Sequence, residues 1–105
     1  MPGSAFVVLL RVHLFFPDAG SLKAKRAELN RVKAHLRDRM GASVAEVAHQ
    51  DAWQRSTLLA SVCGGGETRV GDHADSLCRW LDARMPQGVR VDRRVASWSD
   101  LEGLG

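Results

Sequence analysis

The chain has 105 residues, 45% of them hydrophobic and 26% charged, with a net charge of +3 and a pI near 9.4. That length fits one domain, residues 1–105, able to bury a core without metal or disulfide staples. The composition is that of an ordinary globular protein; its mild basicity excludes a histone-like polycation and permits, without demanding, a nucleic-acid partner.

Residues 6–16 form a β-branched and aromatic run that predicts a strand. Its alternate set Phe6, Val8, Leu10, Val12, Leu14 and Phe16 is wholly apolar, whereas Val7, Leu9, Arg11, His13 and Phe15 are mixed. That pattern belongs centrally in a sheet covered on one side. The run is too short to span a bilayer, Arg11 and His13 interrupt it, and neither a leading cationic region nor a small-residue cleavage site accompanies it. A cytosolic protein with no membrane partner is expected.

After Pro17-Asp18-Ala19-Gly20, Ser21 is placed to N-cap a helix over about 21–40, closed by Gly41. Leu22, Leu29, Val32, Leu36 and Met40 make its apolar stripe. Residues 43–49 and 55–63 read as two strands joined by the short link "QDAWQ", an antiparallel hairpin. Gly64-Gly65-Gly66 leads to a second helix over about 67–85, with Val70, Ala74, Leu77, Leu81 and Met85 inward, ended by Pro86-Gln87-Gly88. Residues 89–96 alternate apolar and charged as a last strand, leaving 97–105 as a tail that packs through Trp98. Cys63, in a strand, and Cys78, on a helix, are expected to be free buried thiols.

The order β-α-β-β-α-β is the ferredoxin-like, split-βαβ pattern of the α+β class: a four-stranded antiparallel sheet with both helices on one face. Right-handed crossovers put the first and third strands in the middle. The uncovered face then carries Arg11, His13, Thr57, Ser61, Arg90, Asp92 and Arg94.

Charge is unevenly placed. The first helix has seven cations and two acids, a net +5, while the remaining eight cations and ten acids carry −2. "SLKAKR" (21–26) puts Lys23, Lys25 and Arg26 into its first turn, where cations oppose the helix dipole. Arg26, Lys33 and Arg37 align in one stripe beside the apolar one, and Lys23 extends it. Phosphates laid along that stripe would relieve the repulsion. The plainer account is a solvated helix face. Lys25 projects onto the apolar sector, where its amine needs a partner.

A second dense cluster is "HQDAWQRS" (49–56). His49 and Asp51 could form a base and its orienting acid, but no serine or cysteine nucleophile is identifiably paired with them, so a hydrolase is disfavoured. The plainer account is a hairpin in which Asp51 satisfies backbone amides and Trp53 packs under the sheet edge. "CGGGETRVG" lacks the G-K-[ST] ending of a phosphate loop and the last glycine of a dinucleotide loop. The four histidines lack metal-ligand spacing, so no metal and no cofactor is expected. RNA-recognition motifs share this element order but stack bases on aromatics of the middle strands. Here only Phe15 is available, at a strand end, so the sheet is not expected to stack bases.

The paired motifs, S-L-K-x-K-R after Phe16-Pro17 and Q-D-x-W-Q-R at the hairpin, resemble those of the DUF503, or YlxP-like, family of uncharacterised bacterial proteins. The resemblance spans roughly 6–96 and implies a ferredoxin-like fold. It points to Ser21, Leu22, Lys23, Lys25 and Arg26, and to Gln50, Asp51, Trp53, Gln54 and Arg55, without assigning them roles. Genes of the family lie near those of translation factors, which implies a ribosomal context by association.

Two readings follow. In the first, a small non-enzymatic protein engages RNA or a ribosomal particle through Lys23, Lys25, Arg26, Lys33 and Arg37, with Trp53 and Arg55 adding contacts. In the second, the open sheet face pairs with a copy of itself in a homodimer.

Overall fold

Alternation builds the sheet. In the computed structural model, which describes residues 4–86 and 88–103, β1 (Phe6–Phe15) buries Val8, Leu10, Val12 and Leu14 and exposes Leu9, Arg11 and Phe15. β3 (Arg55–Gly64) likewise buries Ser56, Leu58, Ala60 and Val62. With β2 (Ser43–Ala48) and β4 (Val89–Ser97) at the edges, the order is β2-β3-β1-β4, every pairing antiparallel. The first and third strands are central, as expected.

Helical periodicity supplies the other half of the core. α1 (Leu22–Asp38) buries Leu29, Val32 and Leu36, and α2 (Glu67–Arg84) buries Val70, Ala74, Leu77 and Leu81. Each fully buried leucine contributes roughly 1.5–3 kcal/mol. The Ser21 hydroxyl accepts the Ala24 N–H at 3.0 Å and caps α1 as predicted, and Gly41 takes the left-handed conformation (φ 65°) that ends it. His35 of α1 stacks on Trp80 of α2, with ring centroids 3.9 Å apart. Both helices cover the same face of the sheet, so the chain has the ferredoxin-like fold.

Three details depart from expectation. The tail, to which no element is assigned from the sequence, holds a short helix: α3 (Trp98–Glu102) forms behind a capping box of Ser97 and Asp100. Trp98 stays 59% exposed and donates its indole N–H to Glu102 instead of packing on the sheet. Cys63 is exposed rather than buried, because its position opposite Val7 turns it to the uncovered face; Cys78 is half-buried, and both are free. Gln87, within the expected turn, and residues 104–105 of the tail lie outside the described residues. Among the described residues, no helix is long and apolar enough to cross a membrane.

Candidate functional site

The first cationic cluster is turned inward. Lys25 is fully buried, and its ammonium donates to the backbone carbonyls of His49 (3.0 Å) and Gln50 (3.2 Å), with the Glu46 carboxylate 3.8 Å away. Arg26 donates to Glu46 at 2.6 Å and to the Gln50 carbonyl at 2.7 Å. Ser56 closes the network, its hydroxyl donating to Glu46 at 2.8 Å. One carboxylate on β2 thus gathers two cations from the start of α1 and a hydroxyl from β3. Burial pushes the Lys25 amine below its usual value, and Glu46 partly offsets this. Burial works to raise the Glu46 carboxyl, but hydrogen bonds from Arg26 and Ser56 and the two positive charges outweigh it and hold the carboxyl low.

The two sequence motifs therefore meet, and what they make is a clamp. S-L-K-x-K-R supplies Lys25 and Arg26; the hairpin supplies the carbonyls that they hold. His49 adopts φ 64°, an unfavoured conformation for a side-chain-bearing residue, and its carbonyl is one of those held by Lys25. Gln54 ties the other end of the link, donating to the Pro17 carbonyl at 3.2 Å while its own carbonyl accepts the Phe16 N–H at 2.9 Å. Lys25 is thus closed to a phosphate, and Arg26 has its charge answered by Glu46 and two of its five N–H donors held by protein oxygens. Of the five cations read from the sequence, Lys23 and Arg37 stay exposed and Lys33 half-buried, and none of these three is ion-paired among the described residues.

The hairpin differs from its plainer account in one respect. Trp53 does not pack under the sheet edge; it is 55% exposed. It lines a surface hollow with Phe15, Pro17, Ala52, Gln54 and Arg55. Among the described residues, no hydrogen bond joins His49 to Asp51, so the proposed base and orienting acid are not assembled.

The second cationic cluster lies on the uncovered face. Registers His13↔Thr57, Arg11↔Leu59, Arg11↔Asp92, His13↔Arg90, Leu9↔Arg94 and Phe15↔Arg55 put Arg11, Arg55, Arg90 and Arg94 on it together. All four are exposed and form no ion pair among the described residues. The one carboxylate among these positions, Asp92, is engaged by His13 at 2.9 Å. That hydrogen bond, helped by the charges of Arg90 and Arg11, holds Asp92 below the usual carboxylate range. Interleaved with the charges are the exposed apolar side chains Leu9, Phe15, Val47 and Leu59.

Sequence reasoning placed His13, Asp92 and Thr57 on one face but missed that they touch. His13 Nε2 meets Asp92, and its Nδ1 lies 3.3 Å from the Thr57 hydroxyl. The chain of hydroxyl, imidazole and carboxylate has the connectivity of a nucleophile triad. Its burial is reversed: Thr57 is 5% exposed whereas the Asp92 side chain is 41% exposed. A nucleophile must reach its substrate, so this array is better read as a strut that orients His13 across three strands.

With this geometry in hand, the comparisons with known proteins concern mainly kinship. The sequence profile of the family described as "Protein of unknown function (DUF503)" matches residues 7–93. The "Uncharacterized protein YlxP" of Bacillus subtilis (strain 168) is 45% identical over 78 residues, which cover 74% of this chain and 84% of that protein. Among solved structures, the de novo designed protein Foldit4 superposes with a TM-score of 0.55 at 11% identity, over 88% of this chain and 96% of its own, a likeness of fold alone. By its profile match and its Bacillus relative, the chain belongs to the DUF503 family.

Proposed function

We propose that the protein is a non-enzymatic RNA-binding protein whose contact surface is the open face of the sheet. The observation that carries this reading is the charge of that face: four exposed arginines without ion pairs among the described residues, against one carboxylate already engaged by His13. A phosphate backbone would neutralise Arg11, Arg55, Arg90 and Arg94 and release its own counterions. The stripe Lys23, Lys33 and Arg37 is the weaker candidate. Arg37 lies in the last turn of α1, where the helix dipole already favours a cation. The ribosomal context implied by the family resemblance supplies an RNA of the right chemistry.

The exposed Leu9 and Leu59 favour the second reading, in which two open faces pair in a homodimer. Direct pairing would bring the arginines of one copy against those of the other, and that repulsion weighs against it. Titration of a labelled single-stranded RNA across a salt series tests the two. Four phosphate contacts predict a slope of log K against log salt of about −3, and replacing Arg11, Arg90 and Arg94 by alanine reduces its steepness by about 2. Replacing Lys23, Lys33 and Arg37 leaves the slope nearly unchanged. If the helix variant loses binding instead, the interface moves to α1. Absence of salt-dependent binding, with a dimer by light scattering, favours the second reading.

A further inference from the structure

We infer that Phe15, Trp53 and Arg55 form a nucleobase-stacking site at one end of the open sheet face, which takes an unpaired base of the bound RNA. This rests on the RNA-binding reading above and adds what the arginines alone do not give: a preference for nucleic acid over other polyanions. Phe15 and Trp53 are 44% and 55% exposed and line the same hollow with Arg55. Large aromatic side chains so exposed contribute little to the core, and no ring partner orders either among the described residues. Every base has an apolar π face, so aromatic side chains beside a cationic track suit single-stranded nucleic acid. The track is present: a second hollow continues from Phe15 and Arg55 to His13, His49, Thr57 and Arg90.

The site is also held in place. Phe15 N–H donates to the Gly88 carbonyl at 2.7 Å, and a side chain at Gly88 would drive its Cβ to 2.5 Å from the Phe15 carbonyl oxygen. On the other side Gln54, next to Trp53, is bound to Phe16 and Pro17. The clamp of Lys25 and Arg26 fixes the start of the same link. A fixed backbone under exposed rings lowers the entropic cost of ordering a ligand on them. The middle strands carry no aromatic pair for stacking on the open face; the hairpin brings Trp53 to Phe15, the one aromatic that β1 turns to that face.

Trp98 is a built-in control, because it is equally exposed, at 59%, but lies on α3 away from this hollow. The test uses the full chain with two probes, oligouridylate and heparin, a polyanion without bases. Trp53→Ala is expected to weaken oligouridylate binding about tenfold or more and to leave heparin binding within twofold, whereas Trp53→Tyr restores most of the loss. Irradiation of 5-bromouridine-substituted RNA should cross-link to Trp53 and not to Trp98. If the wild type binds RNA with a steep salt slope, but Trp53→Ala is unaffected and the cross-link maps elsewhere, the stacking site falls while the cationic face stands. If the wild type binds heparin and RNA alike and Trp53→Ala weakens neither, stacking is again overturned. If it binds no RNA at all, both fall.

Discussion

Lys25 at the start of α1 and Arg11 on β1 are both cations in amphipathic elements, Lys25 projecting onto the apolar sector of its helix and Arg11 standing on the mixed face of its strand. The structure separates them. Lys25 is 0% exposed, with two carbonyls and a carboxylate around its amine, whereas Arg11 is exposed and has no carboxylate bridged to it among the described residues. A cation inside a protein is committed to the fold, because removing its partners leaves an uncompensated buried charge. A cation on an open sheet costs the fold little and stays available. The densest basic motif, "SLKAKR", thus spends two of its three cations on structure.

The sharpest way to break this contrast is Lys25→Met. Methionine fills much of the same space but donates nothing to the His49 and Gln50 carbonyls. The expected loss is about 3 kcal/mol of unfolding free energy, or roughly 15 °C in Tm for a domain of this size. Alanine at Arg11 should move Tm by no more than about 3 °C. Urea denaturation and thermal melts followed by circular dichroism decide it. A methionine variant as stable as the wild type would mean that the buried amine is dispensable to the fold, and the clamp reading would fail.

Glu46→Gln removes the shared carboxylate and is expected to cost about 2 kcal/mol at pH 7, because Lys25 and Arg26 keep their charges without a counter-charge. The pH dependence carries a sign. The folded state holds Glu46 below its ordinary value of 4.5, so its contribution is fully present above that pH. It is lost as the pH falls through the lower folded value. Wild-type stability should therefore drop in acid more steeply than that of Glu46→Gln, and the two curves should converge. Parallel curves would show that Glu46 does not couple the two cations to the hairpin.

The fold was legible because its signals are periodic. The alternation from Val8 to Leu14, the spacing of Leu29, Val32 and Leu36, the Ser21 cap and the Gly41 stop all report local geometry, and local geometry is what a sequence displays. That Lys25 projects into the apolar sector was also legible, as a helical angle. Its partners were not, because two of them are backbone carbonyls about 25 residues away, and carbonyls carry no residue identity. Trp53 failed for a related reason: its exposure depends on how Gln54 pins the link to Phe16 and Pro17, a tertiary fact. The His13–Asp92 contact joins residues 79 apart, which only strand register brings together. Cys63 turned outward because β3 runs to Gly64 in register with β1, which decides the face each residue takes.

The smallest expected effect sharpens the comparison inside a single turn of helix. Lys23 and Lys25 are two residues apart, but Lys23 is exposed and has no carboxylate partner among the described residues. The first turn of α1 holds no acid, so its unmet N–H groups face positive charge. Lys23→Glu should therefore stabilise the protein by about 0.5 kcal/mol at low ionic strength, and the gain should fade in molar salt. Lys25→Glu, two positions on, would set a second carboxylate beside Glu46 and the two carbonyls and should prevent folding. If Lys23→Glu instead destabilises the protein while lowering RNA affinity as much as loss of the sheet arginines does, the start of α1 is both structure and interface, and the division between the two cationic regions does not hold.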